Sequence, residues 1–148
     1  MPACSKMTEV HTGRAGELLA AGIIEAHGFK TVLCQQTSFD MLLMRSDDTH
    51  YRVEVKTTAK AVSDPRRKTE KPSKYYCWST ARGSGSKKRL DPSAVDLLVL
   101  VALDTRKCIF KPVHGHDVLR FNYSKSKMLE LDENQMLIDA LNRIDERR

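Results

Sequence analysis

The chain has 148 residues, 41% of them hydrophobic, with a formal net charge of +6 and a pI near 9.2. That content excludes a disordered polyelectrolyte, and the length suits one domain able to bury its own core. The basic balance favours an anionic partner, with nucleic acid the first candidate.

The four cysteines, Cys4, Cys34, Cys77 and Cys108, lie far apart and form no CxxC pair. A zinc ribbon or thioredoxin-like site is therefore not expected, and a reducing setting fits best. No segment resembles a signal peptide and no apolar run approaches membrane-spanning length, so a soluble, intracellular protein is expected.

Residues 1–11 show no period and read as a loose arm. Thr12 is placed to cap a helix running to about His27, stopped by Gly28. Ala15, Leu18, Leu19, Gly22, Ile23 and Ala26 form its apolar stripe, with Glu17 at the stripe's edge. Three strands are predicted next, over Lys30–Gln35, Phe39–Met44 and His50–Thr58. In the third, Tyr51, Val53 and Val55 alternate with Arg52, Glu54 and Lys56. Residues 60–74 form a basic loop holding Arg66, Arg67 and Lys68. A fourth strand is expected over Tyr75–Thr80, then a flexible basic loop, residues 82–90, with Lys87, Lys88 and Arg89. Asp91–Val95 suits a short helical turn. Asp96–Leu103 is the strongest buried-strand signal, and Cys108–Val113 is its pairing strand across a turn. A C-terminal helix over 132–148 presents Met136, Leu137, Ala140, Leu141 and Ile144 on one face. There is no internal repeat.

The chemistry concentrates in Asp40, Glu54 and Lys56. Side chains two apart on a strand share a face, so Glu54 and Lys56 project together. A hairpin between the second and third strands brings Asp40 to the same spot. Two carboxylates and the Val55 carbonyl suit magnesium, with Lys56 beside a water nucleophile and a phosphodiester. Glu17 is a fourth candidate member. The competing reading is an exposed Glu54–Lys56 ion pair of little energetic worth. Against it, Asp40 interrupts an apolar segment, where an unpaired carboxylate is costly, and the flanking loops are basic.

Gly16-Glu17 in a first helix, Phe39-Asp40 and Glu54-Val55-Lys56-Thr57 resemble the PD-(D/E)XK nuclease superfamily. The later order is similar to its small group I intron-associated homing endonucleases. That order is a strand at Tyr76–Ser79, a basic loop, Val95-Asp96 before an apolar strand, then Ile109-Phe110-Lys111-Pro112. The resemblance covers roughly residues 12–113. Phe39 stands where the motif often has proline, which ligates nothing.

The resemblance implies an α/β fold with a central mixed β-sheet flanked by helices. It also implies Mg2+-dependent hydrolysis of double-stranded DNA, with Mn2+ as a substitute, and a homodimer or higher homo-oligomer in a bacterial or phage-infected cytoplasm. Carried over by position, Asp40 and Glu54 are metal ligands with the Val55 carbonyl, Lys56 is the catalytic lysine, and Glu17 is the acidic helix residue. A Holliday-junction resolvase and a catalytically silent DNA-binding module are the rival readings.

Arg66, Arg67, Lys68, Lys87, Lys88 and Arg89 are candidate phosphate contacts, and Thr57, with Thr58, a weaker one. Tyr76 and Trp78 are expected in the core, and His114 and His116 in a loop role. Gln35 and Gln36 lie close before Asp40.

Overall fold

The computed structural model describes residues 8–34, 38–63, 73–82 and 87–148. Helix α1 spans Glu9–Ala26. Its N-cap is Thr8, whose hydroxyl accepts from the His11 amide at 3.3 Å. Thr12, the expected cap, lies inside the helix, with its hydroxyl donating back to the Thr8 carbonyl. Glu9–His11, placed by sequence in the loose arm, are therefore helical. Gly28, at φ +94°, turns the chain out of the helix, a conformation glycine tolerates without strain.

Strands β1 (Lys30–Leu33), β2 (Met41–Met44) and β3 (His50–Thr58) follow as antiparallel neighbours. After β4 (Val62–Ser63) and β5 (Lys74–Ser79) come β6 (Leu97–Ala102) and β7 (Lys107–Pro112). Strand β6 runs parallel to β3 and antiparallel to β7. The resulting five-stranded mixed sheet has the order β1-β2-β3-β6-β7.

Every residue of β6 is buried, as its unbroken apolar sequence requires for a strand covered on both faces. One face carries Met41, Leu43, Val53, Val55, Val99 and Phe110. It packs beneath α1 and the C-terminal helix α3 (Glu133–Arg147) through Ala20, Ile24, Leu137 and Leu141. The other face carries Leu98, Leu100 and Ile109 and meets a second, three-stranded sheet, β4-β5-β8. Tyr76 and Trp78 sit in that second core, as expected, and the Trp78 indole N–H donates to the Val101 carbonyl at 2.9 Å. The central sheet thus has helices on one face and a small sheet on the other.

Two elements went unanticipated: β8 (Arg120–Ser124), which pairs with β5, and α2 (Lys125–Leu129), which buries Met128. Strand β4 and Lys74 take up parts of the expected 60–74 loop. Arg66, Arg67 and Lys68, and Gln35 and Gln36, lie outside the described residues. No helix among the described residues is long and apolar enough to cross a membrane.

Candidate active site

Asp40 sits one residue before β2, and its main chain continues the sheet. Its amide donates to the Val53 carbonyl at 2.8 Å, and its carbonyl accepts from the Cys34 amide at 2.9 Å. Its side chain then turns onto β3, where Oδ2 accepts from the Val55 amide at 2.7 Å. The carboxylate takes the amide that a longer β2 would have bonded through its own backbone. By strand alternation the Val55 carbonyl points to the same side as that of Val53, past the end of β2. An acidic side chain and a main-chain oxygen thus share one notch in the sheet.

Glu54 and Lys56 leave β3 on the face toward β5. Lys56 Nζ lies 3.3 Å from Glu54 Oε1, with the two side chains 23% and 15% exposed. An exposed ion pair is therefore the wrong description. Lys56 Nζ also donates to the Ala81 carbonyl at 3.3 Å. Glu17 comes from α1, where Arg14 lies 3.7 Å away. The helix can approach this closely because residue 16 is glycine: a Cβ there would overlap the Thr57 hydroxyl.

All three acids hold their protons more tightly than free carboxylates do. For Glu54 and Glu17 the cause is burial first, then the negative charge of Asp40. For Asp40 burial dominates, offset by the Val55 amide and the Lys56 charge. Asp40 is thus the hub, coupled to Glu17 on one side and Glu54 on the other. Lys56 and Arg14 offset only part of that negative charge. Among the described residues no three His, Cys, Asp or Glu side chains gather as a ready cage. The donor set is instead two carboxylates and a carbonyl. That matches the needs of a small hard cation, which retains its own waters.

Thr57 does not belong with the phosphate-contacting candidates. Alternation places it with Val53 and Val55, and its hydroxyl is buried beneath α1 with no partner among the described residues. Lys87, Lys88 and Arg89 are exposed. Arg82 and Lys88 close the root of their loop through main-chain bonds of 2.7 and 3.0 Å, next to Ala81 and hence to Lys56. Arg82 also bears electrostatically on Glu54.

Sequence reasoning missed a clasp beside the site. Arg52 donates through Nε and Nη2 to Asp96 at 3.0 Å each, and its amide donates to the same carboxylate at 2.8 Å. Burial works to raise the Asp96 carboxyl, but Arg52, with help from Arg148, holds it below the ordinary value. The clasp ties the start of β3 to the start of β6. It borders a cavity of about 820 Å³ that reaches Phe39, the neighbour of Asp40.

The fold and site together define a mixed α/β chain with a half-buried acid–lysine cluster at a gap in its central sheet. No family model and no curated protein matches the chain. Among solved structures it is similar to a bacterial homing endonuclease, I-Ssp6803I. The TM-score is 0.58 over 94% of this chain and 98% of that one, at 13% identity. At that identity the likeness is one of fold.

Proposed function

We propose that this protein is a divalent-metal-dependent endonuclease of the PD-(D/E)XK kind that hydrolyses phosphodiester bonds in double-stranded DNA, of the site-specific homing type. The observation that carries the reading is the convergence of Asp40, Glu54 and Lys56, with both carboxyls raised by burial and Glu54 raised further by the charge of Asp40. The endonuclease named for the fold neighbour supports it and favours the homing type over a junction resolvase.

Asp40, Glu54 and the Val55 carbonyl would hold the metal, magnesium first and manganese as its substitute. Such an ion makes a bound water acidic and offsets charge on the phosphate. Lys56, anchored by Glu54 and Ala81, presents its ammonium to the attacking water and to the negative charge growing on the phosphate oxygens. Glu17 orients water beside Asp40. Lys87, Lys88 and Arg89 grip backbone phosphates, and Arg66, Arg67 and Lys68 are assigned the same role. Cutting both strands calls for two copies, so a homodimer or higher oligomer belongs to this reading, as does action on DNA in a cytoplasm.

The test is incubation with magnesium and a panel of long linear duplexes and a four-way junction. Cutting at one long site is expected, abolished by EDTA and by Lys56→Ala, with DNA binding retained. Metal-independent cutting, or full activity in Lys56→Ala, would sink the assignment. Cutting of the junction alone would make the protein a resolvase, and binding without cutting a silent module.

A further inference from the structure

Thr80 and His116 are buried polar side chains, 0% and 5% exposed, that the proposed chemistry does not use. They bond to each other, with Thr80 Oγ1 2.9 Å from His116 Nε2. The Thr80 hydroxyl has one proton, and it donates that proton to the Val118 carbonyl at 2.9 Å. It can therefore only accept from His116, whose Nε2 must carry the ring proton. His116 Nδ1 is then a bare acceptor, buried and without a partner among the described residues. Burial, reinforced by the Lys111 charge, favours the neutral ring. The Thr80 amide adds a bond to the Leu119 carbonyl at 2.9 Å. Thr80 is thus fixed by three hydrogen bonds, all to the segment that enters β8.

The next residue is Ala81, whose carbonyl accepts from Lys56 Nζ. The residue after that, Arg82, opens the basic loop. Thr80's three anchors fix the residue just before Ala81, as the Arg82 amide, donating to the Lys88 carbonyl at 2.7 Å, fixes the one just after it. An unpaired buried imidazole nitrogen is a cost that an apolar side chain would avoid. Its return is a fixed lead-in to the Ala81 carbonyl.

We infer that Thr80 and His116 are positioning residues for Lys56, holding the Ala81 carbonyl so that the ammonium keeps one direction. The inference rests on Lys56 acting in the reaction, but its first test does not. Reductive methylation of the folded protein, read lysine by lysine by mass spectrometry, reports how firmly each ammonium is held. Thr80→Val should raise Lys56 reactivity severalfold over that of the other lysines, and Thr80→Ser, which keeps the hydroxyl, should not. Should Thr80→Val fail to fold, His116→Phe removes the same bond while leaving Thr80 on Val118, and His116→Gln supplies a replacement donor.

On a duplex the wild type cuts, Thr80→Val should slow single-turnover cleavage about tenfold or more, as misplacement of a reacting group does, with unchanged DNA affinity. Thr80→Ser should restore the rate. Unchanged Lys56 reactivity in Thr80→Val and His116→Phe would overturn the inference, as would altered reactivity with a wild-type cleavage rate. Full cleavage by Lys56→Ala would instead overturn the proposed function and leave the reactivity result standing.

Discussion

Replacing Gly16 with alanine tests how α1 is seated on β3. A Cβ at that position would overlap Thr57 Oγ1 and lie 2.7 Å from Thr57 Cβ and 2.8 Å from Cγ2, where ordinary contact begins near 3.4 Å. Turning Thr57 about χ1 moves Oγ1 and Cγ2 but not Cβ, which the strand fixes. Helix and sheet must therefore separate by about 0.7 Å to relieve that one contact. Overpacking of this kind costs about 2 kcal/mol, or ~4–8 °C of melting temperature for a domain of this size. The same helix supplies its own controls. At Gly13 and Gly22 a Cβ would have nothing within 4 Å, so alanine there meets open space. Each control should gain roughly 0.5–1 kcal/mol from helix propensity. Thermal melts followed by circular dichroism should rank Gly22→Ala and Gly13→Ala above wild type and Gly16→Ala below it. Thr57→Ala in the Gly16→Ala background should recover only part of the loss, because the two Cβ atoms still collide. A Gly16→Ala protein that melts with Gly22→Ala would refute the seating. Glu17 is the next residue, so the same shift should draw its carboxylate off Asp40 and slow cleavage.

The acid cluster has a defined pH signature. Folded, Glu17, Asp40 and Glu54 bind protons above their ordinary values of 4.5, 3.8 and 4.5, where the unfolded chain has already released them. Stability should fall as pH rises through the window above those values, and the penalty should vanish below it. Asp40→Asn should flatten that fall in melts at stepped pH; an unchanged slope would discount the coupling. Magnesium at a hundredfold excess over its Kd should raise the wild-type melting temperature by about 5–10 °C and leave Asp40→Asn nearly unmoved. Asp96 has the opposite sign: its contribution is present above the ordinary 3.8 and lost as pH falls through its depressed value. Asp96→Ala should cost about 2–3 kcal/mol in urea denaturation by stranding Arg52, and a loss below about 0.5 kcal/mol would dismiss the clasp. Changing Lys87, Lys88 and Arg89 to glutamine should lower the slope of log affinity against log salt by about 0.9 for each phosphate no longer neutralised. An unaltered slope would take that loop out of the interface.

Period-two alternation makes β3 and the Glu54–Lys56 face legible in the sequence. It also held the answer for Thr57, two residues past Val55 and so on the helix-facing side, but motif adjacency outweighed alternation there. The helix start slipped by one turn because Thr8 and Thr12 are both capping types, and only the cap hydrogen bond separates them. Phe121 and Tyr123 alternate in β8, yet the surrounding Arg120, Asn122 and Ser124 masked a short strand that exists mainly to pair with β5. The Arg52–Asp96 clasp had no local signal at all. Its partners are 44 residues apart, and only the parallel pairing of β3 with β6 brings them together.

That parallel pairing also sets an order of events. The chain can zip β1, β2 and β3 as consecutive antiparallel strands, a local process with little loop entropy to overcome. Strand β3 stays an open edge until β6 arrives across the long intervening segment. During synthesis, Asp40, Glu54 and Lys56 leave the ribosome well before the strand that buries their sheet. A growing chain therefore displays these acids and the lysine hydrated until the rest of the fold packs over them. Non-local closure of this kind slows folding, so a slow-closing seam runs directly beside the acid–lysine cluster.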